Sequence, residues 1–261
     1  MRLRFYKYQG TGNDFILIDN RNELLPRSNP ELYGAWCDRR FGIGADGLIL
    51  LQNKEGYDFE MVYFNSDGRE STMCGNGGRC IVQFAHDRGL IEDETRFLAV
   101  DGPHDARIEK GIVSLHMQDV QGVESIGADF YLNTGSPHYV QFTNSDVGSI
   151  DLTTVAKSIR YNDRFAKEGT NVNLVEAKDH CLEVRTYERG VEDETYSCGT
   201  GVTAVALVNH ICSENGSYRQ AIHTPGGDLA VSLTKTGEGS FSDVWLHGPA
   251  TFVFEGELVY P

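Results

Sequence analysis

Two cysteine motifs of the same form are the residues best suited to chemistry. Cys74-Gly75-Asn76-Gly77 and Cys198-Gly199-Thr200-Gly201 each begin with a thiol and carry glycine at the second and fourth positions. They lie 124 residues apart, and the same offset superposes Tyr63 on Tyr187. We interpret the two halves of the chain as an internal duplication that supplies two similar reactive groups.

A thiol at the start of a helix is a candidate acid or base. A free cysteine titrates near about 8.5, and the dipole and unpaired N–H groups of a helix N-terminus favour its thiolate. The same N–H groups can hold a carboxylate. Two such helix ends around one ligand would place a sulfur on either side of an α-carbon. This predicts racemisation or epimerisation of an amino acid, with one sulfur as thiolate and the other as thiol. The alternative is that both cysteines are small buried residues of a repeated fold.

Short strands separated by glycine-rich turns surround these motifs. Apolar runs predict buried strands at residues 15–18 and 48–51. Alternating apolar and polar residues predict a half-exposed strand at 58–64 and a second alternating strand at 181–187. The halves therefore indicate an α+β fold rather than a regular alternation of strands and helices.

Helices are predicted directly after each cysteine motif. One runs from Gly77 to about Arg88, and the other runs from Gly201 to about Ile211. The second is apolar on nearly all sides, which is typical of a buried helix. Surface helices are expected at 30–40 and 152–159, and the weakly periodic segment 117–129 is the candidate for the crossing between two domains.

The composition excludes several classes of protein. A formal charge of -15 argues against nucleic acid or an anionic membrane as the main partner. No apolar run is long enough to span a membrane, so we expect a cytoplasmic protein. The six cysteines contain no CxxC pair and the histidines fall in no ligand spacing, so we expect neither a disulfide framework nor a metal site.

An ordered set of motifs resembles the diaminopimelate epimerase family over essentially the whole length. These motifs are Gly10-Thr11-Gly12-Asn13-Asp14-Phe15, Phe64-Asn65-Ser66-Asp67-Gly68, Cys74-Gly75-Asn76-Gly77-Gly78-Arg79-Cys80, Gly135-Ser136-Pro137-His138, Asn171, Glu188-Arg189-Gly190 and Cys198-Gly199-Thr200-Gly201. The resemblance implies an α+β fold of two pseudo-symmetric domains, each a mostly antiparallel, barrel-like sheet around a central helix. It places the domains at residues 1–117 with about 249–261, and at 118–248, with the active site in the cleft between them.

The resemblance also implies an activity: epimerisation of LL-2,6-diaminopimelate to the meso isomer, in lysine and peptidoglycan precursor biosynthesis. Cys74 and Cys198 would be the two acid/base residues. His138 and Glu188 would lie beside them and help set their protonation. The implied substrate-binding residues are Asn13, Asn65, Gly75, Asn76, Asn171, Glu188, Arg189, Gly199 and Thr200. No cofactor is implied, pyridoxal phosphate included, and the expected partners are the small-molecule substrate and a second copy in a homodimer.

Three positions depart from the family pattern. Ser136 stands where many members have asparagine, Gly47 stands where some have glutamine, and residues 192–194 form an unusually acidic turn. Their effects on substrate contacts stay open, as does which cysteine is the thiolate.

Other functions fit parts of the sequence. A proline or hydroxyproline racemase would share the two cysteines but would leave Asn65, Asn171 and Arg189 without a ligand. A non-catalytic amino-acid-binding module would use the same helix ends without exchanging a proton. Nucleotide binding at residues 42–47 is the weakest reading, because the glycine string there lacks a P-loop lysine.

Overall fold

A computed structural model describes residues 2–260, which divide into two compact units. The first unit contains residues 2–115 and 248–260, and the second contains residues 116–247. The boundaries expected from the resemblance were 117/118 and 248/249.

The first unit consists of strands with two helices. In chain order its elements are β1 (Arg2–Gly10), β2 (Asn13–Asp19), α1 (Pro30–Cys37), β3 (Gly47–Gln52), β4 (Glu60–Asn65), α2 (Gly75–Asp87), β5 (Glu94–Ala99), β6 (Gly102–Glu109) and β7 (Ile112–His116).

The second unit repeats the scheme. Its elements are β8 (Val120–Gln121), β9 (Glu124–Ile126), β10 (Asp129–Asn133), β11 (Pro137–Thr143), a short 3-10 helix (Val147–Ser149), α3 (Leu152–Arg160), β12 (Asn171–Ala177), β13 (Leu182–Glu188), β14 (Asp193–Thr195), α4 (Gly199–Asn209), β15 (Gly216–Thr224), β16 (Gly227–Gly237) and β17 (Ser240–Pro249). The last strand, β18 (Thr251–Val259), pairs antiparallel with β1 in the first unit.

The order of strand pairings is the same in both units. In the first, β2 is antiparallel to β1 and parallel to β3, β3 is antiparallel to β4, and β4 is parallel to β5. In the second, β11 is antiparallel to β10 and parallel to β12, β12 is antiparallel to β13, and β13 is parallel to β15. The predicted α+β fold with a repeated, strand-rich unit is confirmed, although the sheet is not closed into a barrel over residues 2–260.

Each unit holds one central helix among its strands. Helix α2 contacts β1, β2, β3 and β4, and α4 contacts β10, β11, β12 and β16. Nine of the eleven residues of α4 are buried, as its apolar sequence predicts. Both helices begin two residues earlier than predicted, because the cysteine itself is the N-cap residue.

Two sequence-based expectations are corrected. Strand β4 is buried on both faces up to Phe64 rather than half-exposed. The alternation of apolar and polar residues led to the wrong prediction because both faces of β4 are covered. Helix α2 packs on the sheet, and α1 contributes Tyr33 and Trp36 to a cluster with Val62 and Phe64. The segment 117–129 belongs to the second unit, where β8 pairs with β17 and β9 pairs with β10, so it is not a linker.

Over the described residues, no helix has both the length and the apolar character required to cross a bilayer.

Candidate active site

Cys74 and Cys198 hold the same backbone position in their two units. Each is the N-cap residue of its central helix, with extended φ and ψ of -95° and 129° at Cys74 and of -122° and 112° at Cys198. Neither side chain caps its helix, so each thiol points elsewhere. The first N–H groups of a helix have no partner within it, and here they belong to Gly75, Asn76, Gly199 and Thr200. Both helix ends therefore have the donors that a carboxylate would need.

The last glycine of each motif allows its helix to lie close to the sheet. A Cβ at Gly201 would lie 2.5 Å from Asn173 Oδ1 and 3.3 Å from His138 Cε1. A Cβ at Gly77 would lie 3.2 Å from Ile49 Cδ1. The glycine at Gly201 thus keeps room for buried polar groups directly behind Cys198.

Cys74 lies against two asparagines of its own unit. Its Sγ donates to Asn13 Oδ1 over 3.7 Å, and Asn76 Nδ2 donates to the same oxygen over 3.2 Å. Asn13 Nδ2 in turn donates to Asp46 Oδ2 over 2.7 Å. Because a carboxylate only accepts hydrogen bonds, Asp46 fixes the amide of Asn13 with its oxygen towards Cys74.

A charged cluster behind Asn13 holds Asp46 in place. Arg39 Nη2 donates to Asp14 over 2.6 Å and to Asp46 over 2.8 Å, while Lys7 pairs with Asp14 at 2.7 Å. Burial alone would raise the pKa of Asp14, but hydrogen bonds from Arg39 and Lys7 outweigh burial and lower the pKa to about 2. Asp14 is therefore ionised at any pH at which the protein works.

Arg79 is a fully buried cation under the start of α2. Its guanidinium donates to the Gly75 carbonyl over 3.2 Å, to Asn76 Oδ1 over 3.0 Å and to Thr11 Oγ1 over 3.1 Å. Burial lowers its pKa, whereas negative charge on Cys80 or Cys74 would favour the charged guanidinium. By the same attraction, Arg79 favours a thiolate at Cys74.

Cys198 faces hydroxyl groups and a histidine instead of amides. Its Sγ lies 3.4 Å from Thr200 Oγ1, and Thr200 Oγ1 lies 2.9 Å from His138 Nε2. Ser136 Oγ lies 2.9 Å from the same ring nitrogen. His138 is fully buried, and burial together with the positive charge of Arg189 lowers its pKa to about 3. The imidazole is therefore neutral.

The remaining predicted residues of the second unit lie around this cluster. Asn171 Nδ2 donates to Ser136 Oγ over 3.1 Å, and its Oδ1 accepts from the backbone N–H of Arg189 over 2.8 Å. The Arg189 side chain is exposed and donates to the Glu168 carbonyl. Glu188, half-buried, is the last residue of β13. Thus the second unit brings together Ser136, His138, Asn171 and Thr200, with Glu188 and Arg189 at the end of the adjoining strand.

In the first unit, Asn65 lies at the same end of the sheet as Asn13, two strands away. It ends β4 opposite Gly47, with an exposed side chain. A Cβ at Gly47 would lie 2.6 Å from the Phe64 carbonyl oxygen, so this backbone has no room for a side chain such as glutamine. The glycine string at residues 42–47 packs against the end of α1, where Gly42 and Ile43 donate to Asp38 and Trp36 carbonyls.

Three residues of these clusters were not predicted from the sequence: Asp46, Arg79 and Asn173. Asn173 Nδ2 lies 3.2 Å from His138 Nδ1. It stands two residues after Asn171 in β12 and so shares its face of the sheet, a signal that was present in the sequence. Over residues 2–260, no three His, Cys, Asp or Glu side chains form a group that could hold a metal ion.

Comparison with known proteins gives the same family over both units. The sequence profile described as "Diaminopimelate epimerase" matches residues 5–127 and 130–253. A diaminopimelate epimerase of Flavobacterium psychrophilum is 49% identical over 255 residues, covering 97% of this chain and 99% of the relative. A diaminopimelate epimerase of Chlorobaculum tepidum is 40% identical over 259 residues, covering 95% of this chain and 98% of the relative.

Solved structures with low sequence identity share the fold. A phenazine biosynthesis protein of the PhzF family from Bacillus anthracis superposes with a TM-score of 0.74 at 14% identity, covering 100% of both chains. A hydroxyproline epimerase from Agrobacterium vitis superposes with a TM-score of 0.69 at 13% identity, covering 98% of this chain and 92% of the other. At such identities the likeness concerns the fold alone.

Proposed function

This chain belongs to the diaminopimelate epimerase family, and we propose that it converts LL-2,6-diaminopimelate to meso-diaminopimelate without pyridoxal phosphate or any other cofactor. The observation that carries the proposal is the repeated helix N-terminus with a cysteine as its N-cap residue. The near-complete coverage of relatives named diaminopimelate epimerase supports the choice of substrate.

The proposed chemistry uses both cysteines on one α-carbon. One sulfur, as a thiolate, takes the α-proton and becomes a thiol. The other, as a thiol, gives a proton to the opposite face and becomes a thiolate, so the configuration inverts and no proton is lost. The roles exchange in the reverse direction. We propose that the two half-sites act on the same substrate molecule.

The helix ends would stabilise the charge that develops on the substrate. Backbone N–H groups of Gly75 and Asn76, and of Gly199 and Thr200, would bind the reacting carboxylate and the extra negative charge that forms as the proton leaves. Asn13 Oδ1 would accept from Cys74 when it is a thiol, and Arg79 would stabilise Cys74 when it is a thiolate. His138 and Glu188 would help to set the protonation of the cysteines.

The unreacting end of the substrate carries its own ammonium and carboxylate groups. We propose that Asn13, Asn65, Asn171 and Arg189 read its L configuration, because amide and guanidinium groups in a fixed array reject a mispaired polar ligand. The hydrogen bond from the Arg189 backbone to Asn171 supports this assignment by tying two of the four residues together.

The direct test is proton exchange at the α-carbons. Purified protein and LL-diaminopimelate are incubated in D2O with a thiol reductant, without added pyridoxal phosphate, and followed by NMR. We expect deuterium at one α-position together with the meso isomer. No exchange under these conditions would remove this substrate, and exchange with proline or hydroxyproline instead would identify the chain as a racemase of those amino acids.

Cysteine variants separate a two-base enzyme from a binding module. Cys74→Ala and Cys198→Ala should each abolish epimerisation, whereas Cys212→Ala, at an exposed cysteine outside both half-sites, should leave it unchanged. Binding of the substrate without exchange in the unaltered protein would favour the binding module.

We further propose that the protein is a cytoplasmic homodimer. Sedimentation equilibrium would test the oligomeric state, since a mass near 29.0 kDa would be that of a monomer. Cell fractionation would test the location.

A further inference from the structure

Asn173 is a buried polar residue with no role in the chemistry described so far. It lies in β12, fully buried, and its Oδ1 is the atom that a Cβ at Gly201 would strike. It is therefore enclosed between the sheet and the start of α4, directly behind Cys198. Its side chain contacts three groups: the Tyr139 carbonyl, the Thr186 hydroxyl and the imidazole of His138.

The amide of Asn173 can adopt only one orientation here. Its Nδ2 donates to the Tyr139 carbonyl oxygen over 2.9 Å, and its Oδ1 accepts from Thr186 Oγ1 over 3.0 Å. The reversed amide would bring two oxygens together at Tyr139, and a backbone carbonyl cannot donate a proton. The backbone of β11 therefore fixes which atom of Asn173 is the nitrogen.

The fixed amide determines the tautomer of His138. Asn173 Nδ2 lies 3.2 Å from His138 Nδ1 and presents its second hydrogen to that nitrogen. His138 Nδ1 must accept this hydrogen and cannot carry a proton of its own. Because the ring is neutral, its one proton is on Nε2.

The Nε2 proton gives a direction to the chain of hydrogen bonds that leads to Cys198. The one proton on Nε2 has two acceptors, Thr200 Oγ1 and Ser136 Oγ, each at 2.9 Å. Asn171 Nδ2, 3.4 Å from Nε2, donates its two hydrogens to Ser136 Oγ and the Pro137 carbonyl, so it needs no acceptor at the ring. Ser136 Oγ, which already accepts from Asn171 Nδ2, lies 3.1 Å from Thr200 Oγ1 and can direct its own hydrogen to it. The hydrogen of Thr200 is then available for Cys198 Sγ at 3.4 Å.

We propose that Asn173 is a positioning residue that holds His138 in the Nε2–H tautomer, so that the chain His138–Thr200–Cys198 donates towards the sulfur and stabilises its thiolate. The part that concerns Cys198 rests on the proposed function. In this arrangement His138 is a hydrogen-bond donor and does not take a proton from Cys198 at Nε2. The thiol of Cys198 must release its proton to the substrate.

The tautomer can be measured without any variant and without any activity. In protein labelled with nitrogen-15, long-range proton–nitrogen spectra distinguish the protonated from the unprotonated ring nitrogen of a neutral histidine. We expect His138 Nε2 to be protonated and Nδ1 to be unprotonated, with no change across the pH range in which a free histidine titrates. A protonated Nδ1 overturns the proposal even if the protein is an active epimerase. Lack of α-proton exchange, by contrast, overturns the proposed function and leaves the tautomer result valid.

The variant Asn173→Asp tests the effect on Cys198. A carboxylate oxygen beside His138 Nδ1 would accept a hydrogen bond from it, so the ring would change to the Nδ1–H tautomer. The hydrogen bonds from His138 through Thr200 would then no longer be directed towards Cys198. We expect kcat to fall on the order of 10-fold to 100-fold with KM nearly unchanged. The alkylation rate of Cys198 by iodoacetamide should shift to higher pH, while that of Cys74 in the same sample should not.

Asn20→Asp is the matched control, because Asn20 is equally buried and bonded to the Leu25 backbone in the first unit. It should leave both alkylation profiles and the His138 spectrum unchanged. An Asn173→Asp protein that keeps the wild-type kcat and the wild-type Cys198 profile overturns the role in catalysis.

Discussion

Cys74 and Cys198 start equivalent helices in two copies of one strand pattern, yet their surroundings differ in chemistry. Around Cys74 the polar groups are charged or held by charges: Asn13 is oriented by Asp46, and Arg79 lies under the helix start. The groups hydrogen-bonded in sequence to Cys198 are neutral: Thr200, His138 and Asn173, with the charge of Arg189 acting on His138 from further away. The offset of 124 residues places Arg79 against Thr203 and Asn173 against Ile49. The duplication thus preserves the backbone while each copy has its own means of positioning the thiol.

Acidification should destabilise the two units in different pH ranges. The pKa of His138 falls from 6.5 to about 3 and that of His247 from 6.5 to about 4, both because of burial first. The unfolded chain therefore binds protons that the folded second unit excludes, and stability decreases as the pH falls from 6.5 towards 3. For His138 the loss is on the order of 5 kcal/mol. Asp14, in the first unit, loses its contribution only between 3.8 and about 2.

Hydrogen exchange as a function of pH would test this order. We expect amides of β12 and α4 to lose protection at a higher pH than amides of β2 and α2. In a His138→Gln protein, the backbone amides of Asn171, Asn173 and their neighbours should stay better protected from hydrogen exchange at mildly acidic pH than in the wild-type protein. Loss of amide protection at the same pH in both units would show that their stabilities do not depend differently on pH.

The turns that follow β4 and β13 offer the next comparison. Gly68 and Glu192 are 124 residues apart and both have positive φ, 79° and 58°. A Cβ at Gly68 would lie 2.0 Å from the Pro30 carbonyl oxygen, so Gly68→Ala should cost about 4 kcal/mol of unfolding free energy through strain and overlap. Glu192→Ala should cost only about 1 kcal/mol, from the lost hydrogen bonds to Arg160 and Tyr161. Urea unfolding measures the free energy of unfolding of each variant. Equal losses in the two variants would contradict the expected difference between the two turns.

Arg79 and Thr203 extend the comparison to the helices. Arg79→Ala removes a fully buried side chain and leaves the Gly75 carbonyl and Thr11 without this donor, so we expect a loss of about 3 kcal/mol. Thr203→Ala removes the hydrogen bond to the Gly199 carbonyl and one buried methyl group, for about 1.5 kcal/mol. Thermal unfolding measures the loss of stability in each of the two variants. A smaller loss for Arg79→Ala than for Thr203→Ala would mean that the buried charge is a net cost to the fold.

The smallest expected effect concerns the orientation of Asn13. In Asp46→Asn the new side chain can donate as well as accept, so it no longer fixes the amide of Asn13. We expect kcat/KM to fall about 10-fold, which corresponds to about 1.4 kcal/mol. Asp228→Asn is the control, because it changes an exposed carboxylate bonded to His223. Equal activities of the two variants would remove Asp46 from the positioning of the site.

The repeated motif predicted the central helices, the equivalent cysteines and the pattern of strands, because these depend on local sequence. What it did not predict depends on contacts between distant segments. The burial of β4 comes from α1 on the face away from α2. Asn173 was missed because its repeat partner, Ile49, is apolar, so the duplication gave no signal there. Asp46 contacts Asn13, 33 residues away, and Arg79 contacts Thr11, 68 residues away. Neither contact follows from sequence spacing.

Strand β18 also has a consequence for how the chain folds during its synthesis. It pairs with β1 along nearly its whole length, and the adjacent Pro249 carbonyl accepts from Arg79. These residues are synthesised after residues 116–247, so the first unit lacks this strand while residues 116–247 are still being made. The first unit is therefore completed only after residues 116–247 have been made, and the second unit can finish its sheet before the first.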